Sequence, residues 1–179
     1  MTDLTGQIGL VYGPHTWQQR VICWVTDSPV YHCVIATSNT TCVGAEEPHP
    51  IERPISHFAN IVWSDFDLTQ AQRDGIVHWI SDHMKSTYNY TDDVAIGLER
   101  ILHEHTPKRI LRRLSSSKHM ECAQLCDAAY TYGAGWQMFR DHRYFGAVAP
   151  ADFVPLLQDT GAWPAGLATT YRRHFTKGA

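Results

Sequence analysis

The 179-residue chain contains no uninterrupted apolar run of about 18 residues, so no membrane-spanning helix is indicated. Its opening, MTDLTGQIGLVYG, lacks the basic start and the long apolar stretch of a signal peptide. Synthesis in, and at least initial solubility in, the cytoplasm is therefore expected. There is no excess of basic charge: 15 Lys and Arg against 18 Asp and Glu give a formal net charge of -3. That balance argues against nucleic acid or anionic lipid as the main partner. The most basic run, Lys108-Arg109 with Arg112-Arg113, fits a solvated helical face. Repeats, low-complexity linkers and Cys-x-x-Cys knuckles are all missing. The five cysteines are odd in number and the chain is not small, which speaks against a disulfide framework and for reduced thiols.

What is present is ordinary for a globular protein: 44% hydrophobic and 18% charged residues, enough for one domain, 1–179, with a sizeable core. Residues 6–13 end in Gly-Pro and suggest a short strand. Residues 15–29 place Trp17, Val21, Trp24 and Val25 at helical spacing before Pro29. The β-branched run 30–37 and the run 40–46, separated by Ser38-Asn39, suggest a hairpin, and 60–68 a third strand. Thr69 and Gln72 have capping-box spacing ahead of a helix whose apolar face is Ile76, Val77, Ile80 and Met84. Helices are also expected over 92–105 and 120–133, with a short helical segment in 148–163. The fold class expected is α+β: a small antiparallel sheet with helices around it.

The helix predicted at 120 carries two cysteines one turn apart. Cys122 falls in its first turn, where unpaired N–H groups and the positive end of the helix dipole stabilise an anion and raise nucleophilicity at neutral pH. Cys126 lies beside Leu125 and Ala129 on a face expected to pack. A nucleophilic cysteine needs a base, and the base an orienting acceptor. His32 is the best candidate by context, because an imidazole inside the apolar run PVYHCVIAT is costly unless paired. A core histidine bonded to a backbone carbonyl accounts for the pattern equally well on chemistry alone. Glu46 and Glu47 end the neighbouring strand, from which a carboxylate could face His32; a solvated turn explains either glutamate singly. A zinc site is a competing arrangement, with Cys122 and Cys126 on one helix face and Cys33, Cys42, His32 and His49 as further ligands. The lack of a paired knuckle, and the expectation that Cys33 points away from His32, favour catalysis over zinc. Tyr31 and Gln124 are expected to face away from the reacting side. His103 and His105 suit dipole capping, and 141–146 a loop bordering a cleft.

SPVYHCVIAT, TCVGAEEP, RPIS and, far downstream, ECAQLCDAAY together resemble the circularly permuted papain-like (NlpC-type) cysteine amidases and peptidases. In that group the His strand precedes the Cys helix, as it does here. The resemblance takes in GQIGLVYG, YNYTDDVAIGLERIL and VAPADFVPLL, and its style is that of actinobacterial or actinobacteriophage members. It implies a permuted papain-like fold, Cys122 as nucleophile and His32 as base. It also implies a third polar residue on the strand after His32. Members often carry a glutamate just before an alanine there, whereas this chain has Gly44-Ala45-Glu46, so Glu46 would act from a shifted position or the role is vacant.

The implied chemistry needs no cofactor or metal. The Cys122 thiolate attacks an amide or ester carbonyl. The Cys122 N–H helps hold the oxyanion, a contribution of about 3 kcal/mol per good donor. His32 then protonates the leaving group. Substrates of relatives include cell-wall peptides and lipid acyl groups, so a peptide, peptidoglycan or acyl substrate is expected. A binding or structural module that kept the fold and lost the activity is a third possibility. Were the protein of phage origin, delivery with a virion or lysis system would need no signal peptide.

Overall fold

The computed structural model describes residues 3–46, 49–84, 120–139 and 148–171. The helix expected over 92–105, the basic run 108–113, His103, His105 and the loop 141–146 lie outside the described residues.

Five strands form one antiparallel sheet: β1 (Ile8–Tyr12), β2 (Val30–Ala36), β3 (Thr41–Glu46), β4 (His49–Pro54) and β5 (Ile61–Trp63), in the order β4-β3-β2-β1-β5. The described helices are α1 (Trp17–Thr26), α2 (Gln70–His83), α3 (Met120–Ala128) and α4 (Phe153–Asp159). The molecule is therefore α+β, as the alternation of strand and helix patterns predicts. Among the described residues no helix is long and apolar enough to cross a membrane.

Local chemistry explains most boundaries. α2 starts at the expected capping box, in which Thr69 Oγ1 accepts from the Gln72 N–H and Gln72 Oε1 accepts from the Thr69 N–H. α1 has the same device, built by Thr16 and Gln19. Each box satisfies orphan donors and contributes about 1 kcal/mol. α1 closes on Asp27 in the left-handed conformation. Its buried face is Ile22 and Cys23 rather than the tryptophans: Trp17 and Trp24 are 67% and 57% exposed. Helical spacing identifies a face but not which face a sheet covers.

β4 is a strand that the sequence pattern conceals. It carries Pro50 and Pro54, which cannot donate to a ladder and so suit an edge, and β4 is the edge next to β3. β5 spans only Ile61–Trp63, because the following residues turn around the side chain of Gln7. That buried amide donates to the Phe66 carbonyl at 2.8 Å and accepts from Phe66 N–H at 3.0 Å and Ser64 Oγ at 2.6 Å.

The sheet has two covered faces. On one, Ile8, Leu10, Cys33, Ile35, Val43 and Ala45 pack with Ile76 and Ile80 of α2, with α3, and with Phe153 and Leu157 of α4. On the other, Val11 and Tyr31 pack with Ile22 and Cys23 of α1. Every residue from Cys122 to Tyr130 is buried, so α3 is an interior helix. It passes directly into a π-helical turn, Ala129–Gly133. There the Tyr130 hydroxyl donates to the Gly6 carbonyl at 2.6 Å, tying the end of α3 to the start of β1. Gly133 meets Gly75 of α2 backbone to backbone, an approach that a side chain on either would block.

Candidate active site

Three features of the sheet bring the sequence-predicted residues together. The first is a bulge in β2. Val11 of β1 pairs with His32, but the next residue, Tyr12, pairs with Val30, so Tyr31 is the extra residue. A bulge breaks the two-residue alternation of a strand. Val30 and Cys33 therefore belong to the α3 face, while Tyr31 and His32 both open on a cleft on the α1 side. Alternation alone turned Tyr31 away from His32; the bulge corrects that.

The second feature is the end of the β2–β3 ladder. Ile35 pairs with Val43 and Ala36 with Cys42. Toward the His32 end, the Cys33 N–H donates to Sγ of Cys122 at 3.5 Å instead. The sulfur thus stands where the sheet opens, and the His32 ring reaches it as a hydrogen-bonding and charge partner. Third, Gly44 of β3 leaves room for that ring: a Cβ at Gly44 would lie 2.8 Å from His32 Nε2.

Cys122 is the third residue of α3, in the first turn as the sequence predicts. Burial on its own would raise its pKa. The Cys33 thiol, the charge and hydrogen bond of His32, and the Cys33 N–H outweigh burial and hold Cys122 well below the ordinary thiol range. For His32, burial works downward. The Cys122 anion, its hydrogen bond and the charge of Glu46 outweigh burial and the opposing charge of Arg53, so the imidazole is raised. Both shifts favour a thiolate–imidazolium pair.

The other cysteines behave differently. Burial, with hydrogen bonds to Cys122 and Cys126, pushes Cys33 well above the usual thiol value. Burial also raises Cys126, despite a hydrogen bond from Cys33. Cys23 and Cys42 are each pushed up to about 12 by burial. Of the two cysteines on α3, Cys122 is thus the one whose surroundings favour the anion and Cys126 the packed thiol. Cys33 was expected to point away from His32; its side chain does leave the His32 face, and it meets Cys122 from the α3 side.

Glu46 ends β3 within electrostatic reach of His32, but its carboxylate is held by Arg53 of β4. Arg53 Nε donates to Oε1 at 2.6 Å and Nη2 to Oε2 at 2.5 Å. The hydrogen bonds from Arg53 lower the Glu46 pKa against a smaller effect of burial, and the charges of Arg53, His32 and His57 add to the lowering. Glu46 therefore acts on His32 through its field. Arg53 was not anticipated because β4 was not.

The cleft beside His32 has a volume of about 320 Å³ and is lined by Tyr12, Gln19, Tyr31, His32, Glu46 and Phe58 among others. The Phe58 ring centroid lies 5.9 Å from that of His32. His32 is 7% exposed and Cys122 0%, so the imidazole forms the cleft floor and the sulfur lies beneath it. Gln124, two residues along α3, is buried with both amide atoms lacking a hydrogen-bond partner among the described residues. Also among the described residues, no three His, Cys, Asp or Glu side chains are grouped to hold a metal ion.

Comparison with known proteins finds no match: no family model, no curated protein and no solved structure resembles the chain at a significant level.

Proposed function

We propose that the protein is a cysteine hydrolase of permuted papain-like arrangement that cleaves an amide bond, such as one in a cell-wall peptide. The observation that carries this reading is the pairing of Cys122, in the first turn of a buried helix, with His32, on a central strand that floors a cleft. A buried thiol has no structural need of an imidazole, and a buried imidazole is costly without a partner. Each explains the other when the pair is ionised.

Cys122 is the nucleophile and His32 the acid–base group. The helix N-terminus supplies dipole stabilisation for the thiolate and, through the Cys122 N–H, for an oxyanion. His32 delivers its proton to the departing amine, and water then clears the acyl-enzyme with His32 as base. Glu46, clamped by Arg53, favours the imidazolium electrostatically. Cys122 is 0% exposed, so a substrate carbonyl engages its sulfur only when the groups that cover it are displaced. Thioester or ester acyl transfer follows the same course up to the acyl-enzyme and differs in what accepts the acyl group. The burial of Cys122 and the engagement of Glu46 by Arg53 also suit a catalytically weakened module of the same fold.

Incubation with peptidoglycan stem peptides and with acyl esters, comparing wild type with Cys122→Ala, tests the reading. Product from the stem peptide only with wild type supports the amidase; product only from the ester supports acyl transfer. Turnover of neither, with a folded wild-type protein, overturns the enzyme.

A further inference from the structure

The Cys122 sulfur has a neighbour that the hydrolytic chemistry does not use. Cys33 reaches Cys122 twice, through its backbone N–H at 3.5 Å and through its thiol, which hydrogen-bonds both Cys122 and Cys126. All three side chains are buried, and none forms a disulfide. We propose that Cys33 and Cys122 form an oxidisable pair: a hydroperoxide oxidises Cys122, and Cys33 resolves the product into a reversible disulfide that switches the site off.

The steps balance. The Cys122 thiolate attacks one oxygen of hydrogen peroxide; the S–O bond forms as the O–O bond breaks. Cys122 becomes a sulfenic acid, and the leaving hydroxide takes the His32 proton to give water. Cys33 then gives up its proton and attacks the Cys122 sulfur. The S–S bond forms as the S–O bond breaks, and the second hydroxide leaves as water. Two thiols lose two electrons and the peroxide becomes two waters.

The order follows from the surroundings of each sulfur. Only the thiolate is nucleophilic enough to begin, and among the three only Cys122 is held in that form. Cys33 stays protonated while an anion sits beside it; conversion of Cys122 to a neutral sulfenic acid removes that anion. Cys126 is the weaker resolving group. It shares a helix with Cys122 one turn away, where side chains run roughly parallel, whereas Cys33 approaches from the facing strand. Peroxide is close to water in size, so the opening that admits a carbonyl group admits it too.

This inference rests on the same Cys122 thiolate as the proposed hydrolysis, but its readout is the connectivity of sulfur atoms. Folded protein is treated with hydrogen peroxide, its remaining thiols are blocked, and the digest is analysed by mass spectrometry before and after dithiothreitol. The expected product is one cross-link between the peptides containing Cys33 and Cys122, lost on reduction, with Cys23 and Cys42 still blocked as thiols. Cys33→Ser keeps a hydrogen-bond donor beside Cys122 and should divert Cys122 to irreversible sulfinic acid; Cys126→Ser should leave the cross-link intact. A Cys122–Cys126 or Cys33–Cys126 cross-link overturns the proposal. So does sulfinic Cys122 beside reduced Cys33 in wild type, or a Cys122 no more oxidised than Cys23. Wild-type mapping decides the matter even if a variant fails to fold. A cross-link without substrate turnover would sink the hydrolase alone, and turnover without a cross-link the redox pair alone.

Discussion

Nε2 of His32 occupies the space that a side chain at Gly44 would need: a Cβ there would lie 2.8 Å from Nε2, 3.2 Å from Cε1 and 3.0 Å from Cγ1 of Val34. Gly44→Ala should therefore turn the imidazole away from Cys122 without removing either group. Loss of the pair's geometry is expected to lower turnover about 100-fold, with a cost to stability of about 1–3 kcal/mol from overpacking. Measured kcat/KM and thermal unfolding check this. A variant with wild-type turnover would show that the ring position is immaterial.

The ionisation of Cys122 can be followed by thiolate ultraviolet absorbance, which does not require a reagent to reach the buried sulfur. Because Cys122 is lowered and His32 raised, the ion pair occupies the window between the two pKa values. Activity should fall on the acid side as Cys122 gains its proton and on the alkaline side as His32 loses one. His32→Ala should move the appearance of thiolate to higher pH, and Cys33→Ala should do so too by removing a donor. Absorbance that rises only in the range of an ordinary thiol in wild type would refute the ion pair.

Glu46 and Arg53 push His32 in opposite directions. Glu46→Gln removes the charge that raises it, so the His32 pKa should fall. Arg53→Gln removes the charge that lowers it and also frees the Glu46 carboxylate, so the His32 pKa should rise. Histidine titration by NMR reads both signs directly. Since Glu46 acts through its field, Glu46→Gln should reduce turnover less than about tenfold, well short of losing a general acid–base group. A His32 pKa that stays unchanged or rises in Glu46→Gln would remove Glu46 from any electrostatic role.

Gly75 and Gly133 make a stability prediction independent of chemistry. A Cβ on Gly75 would drive into the Gly133 carbonyl oxygen, and one on Gly133 would lie 2.7 Å from the Gly75 oxygen. Relief requires α2 and the π-turn to separate, because the obstacle is backbone. Gly75→Ala should cost at least about 2 kcal/mol in denaturant unfolding, although alanine normally favours a helix interior. An unchanged midpoint would contradict the close approach.

Much of this architecture is legible in the chain. The β2–β3 hairpin, the Thr69 cap and the first-turn position of Cys122 follow from local patterns, which sequence expresses directly. β4 was hidden because its prolines, permitted on an edge, imitate a loop. The helical spacing of Trp17 and Trp24 marks α1, but hydrophobicity alone does not say which side of it the sheet covers. The convergence of Cys33, His32 and Cys122 depends on the end of a ladder and on contacts across 89 positions, and neither leaves a periodic trace.

The additional residue at Tyr31 has a bearing on how this chain can vary in length. Upstream of it, side chains keep one phase of the β2 repeat; downstream they keep the other. Removing Tyr31 would erase that slip yet leave Val30, His32 and Cys33 on the faces they now occupy, at the loss of the Tyr31 ring from the cleft wall. A one-codon deletion at the bulge thus keeps the imidazole above the Cys122 sulfur, whereas one between His32 and Ala36 would carry it to the other face of the sheet.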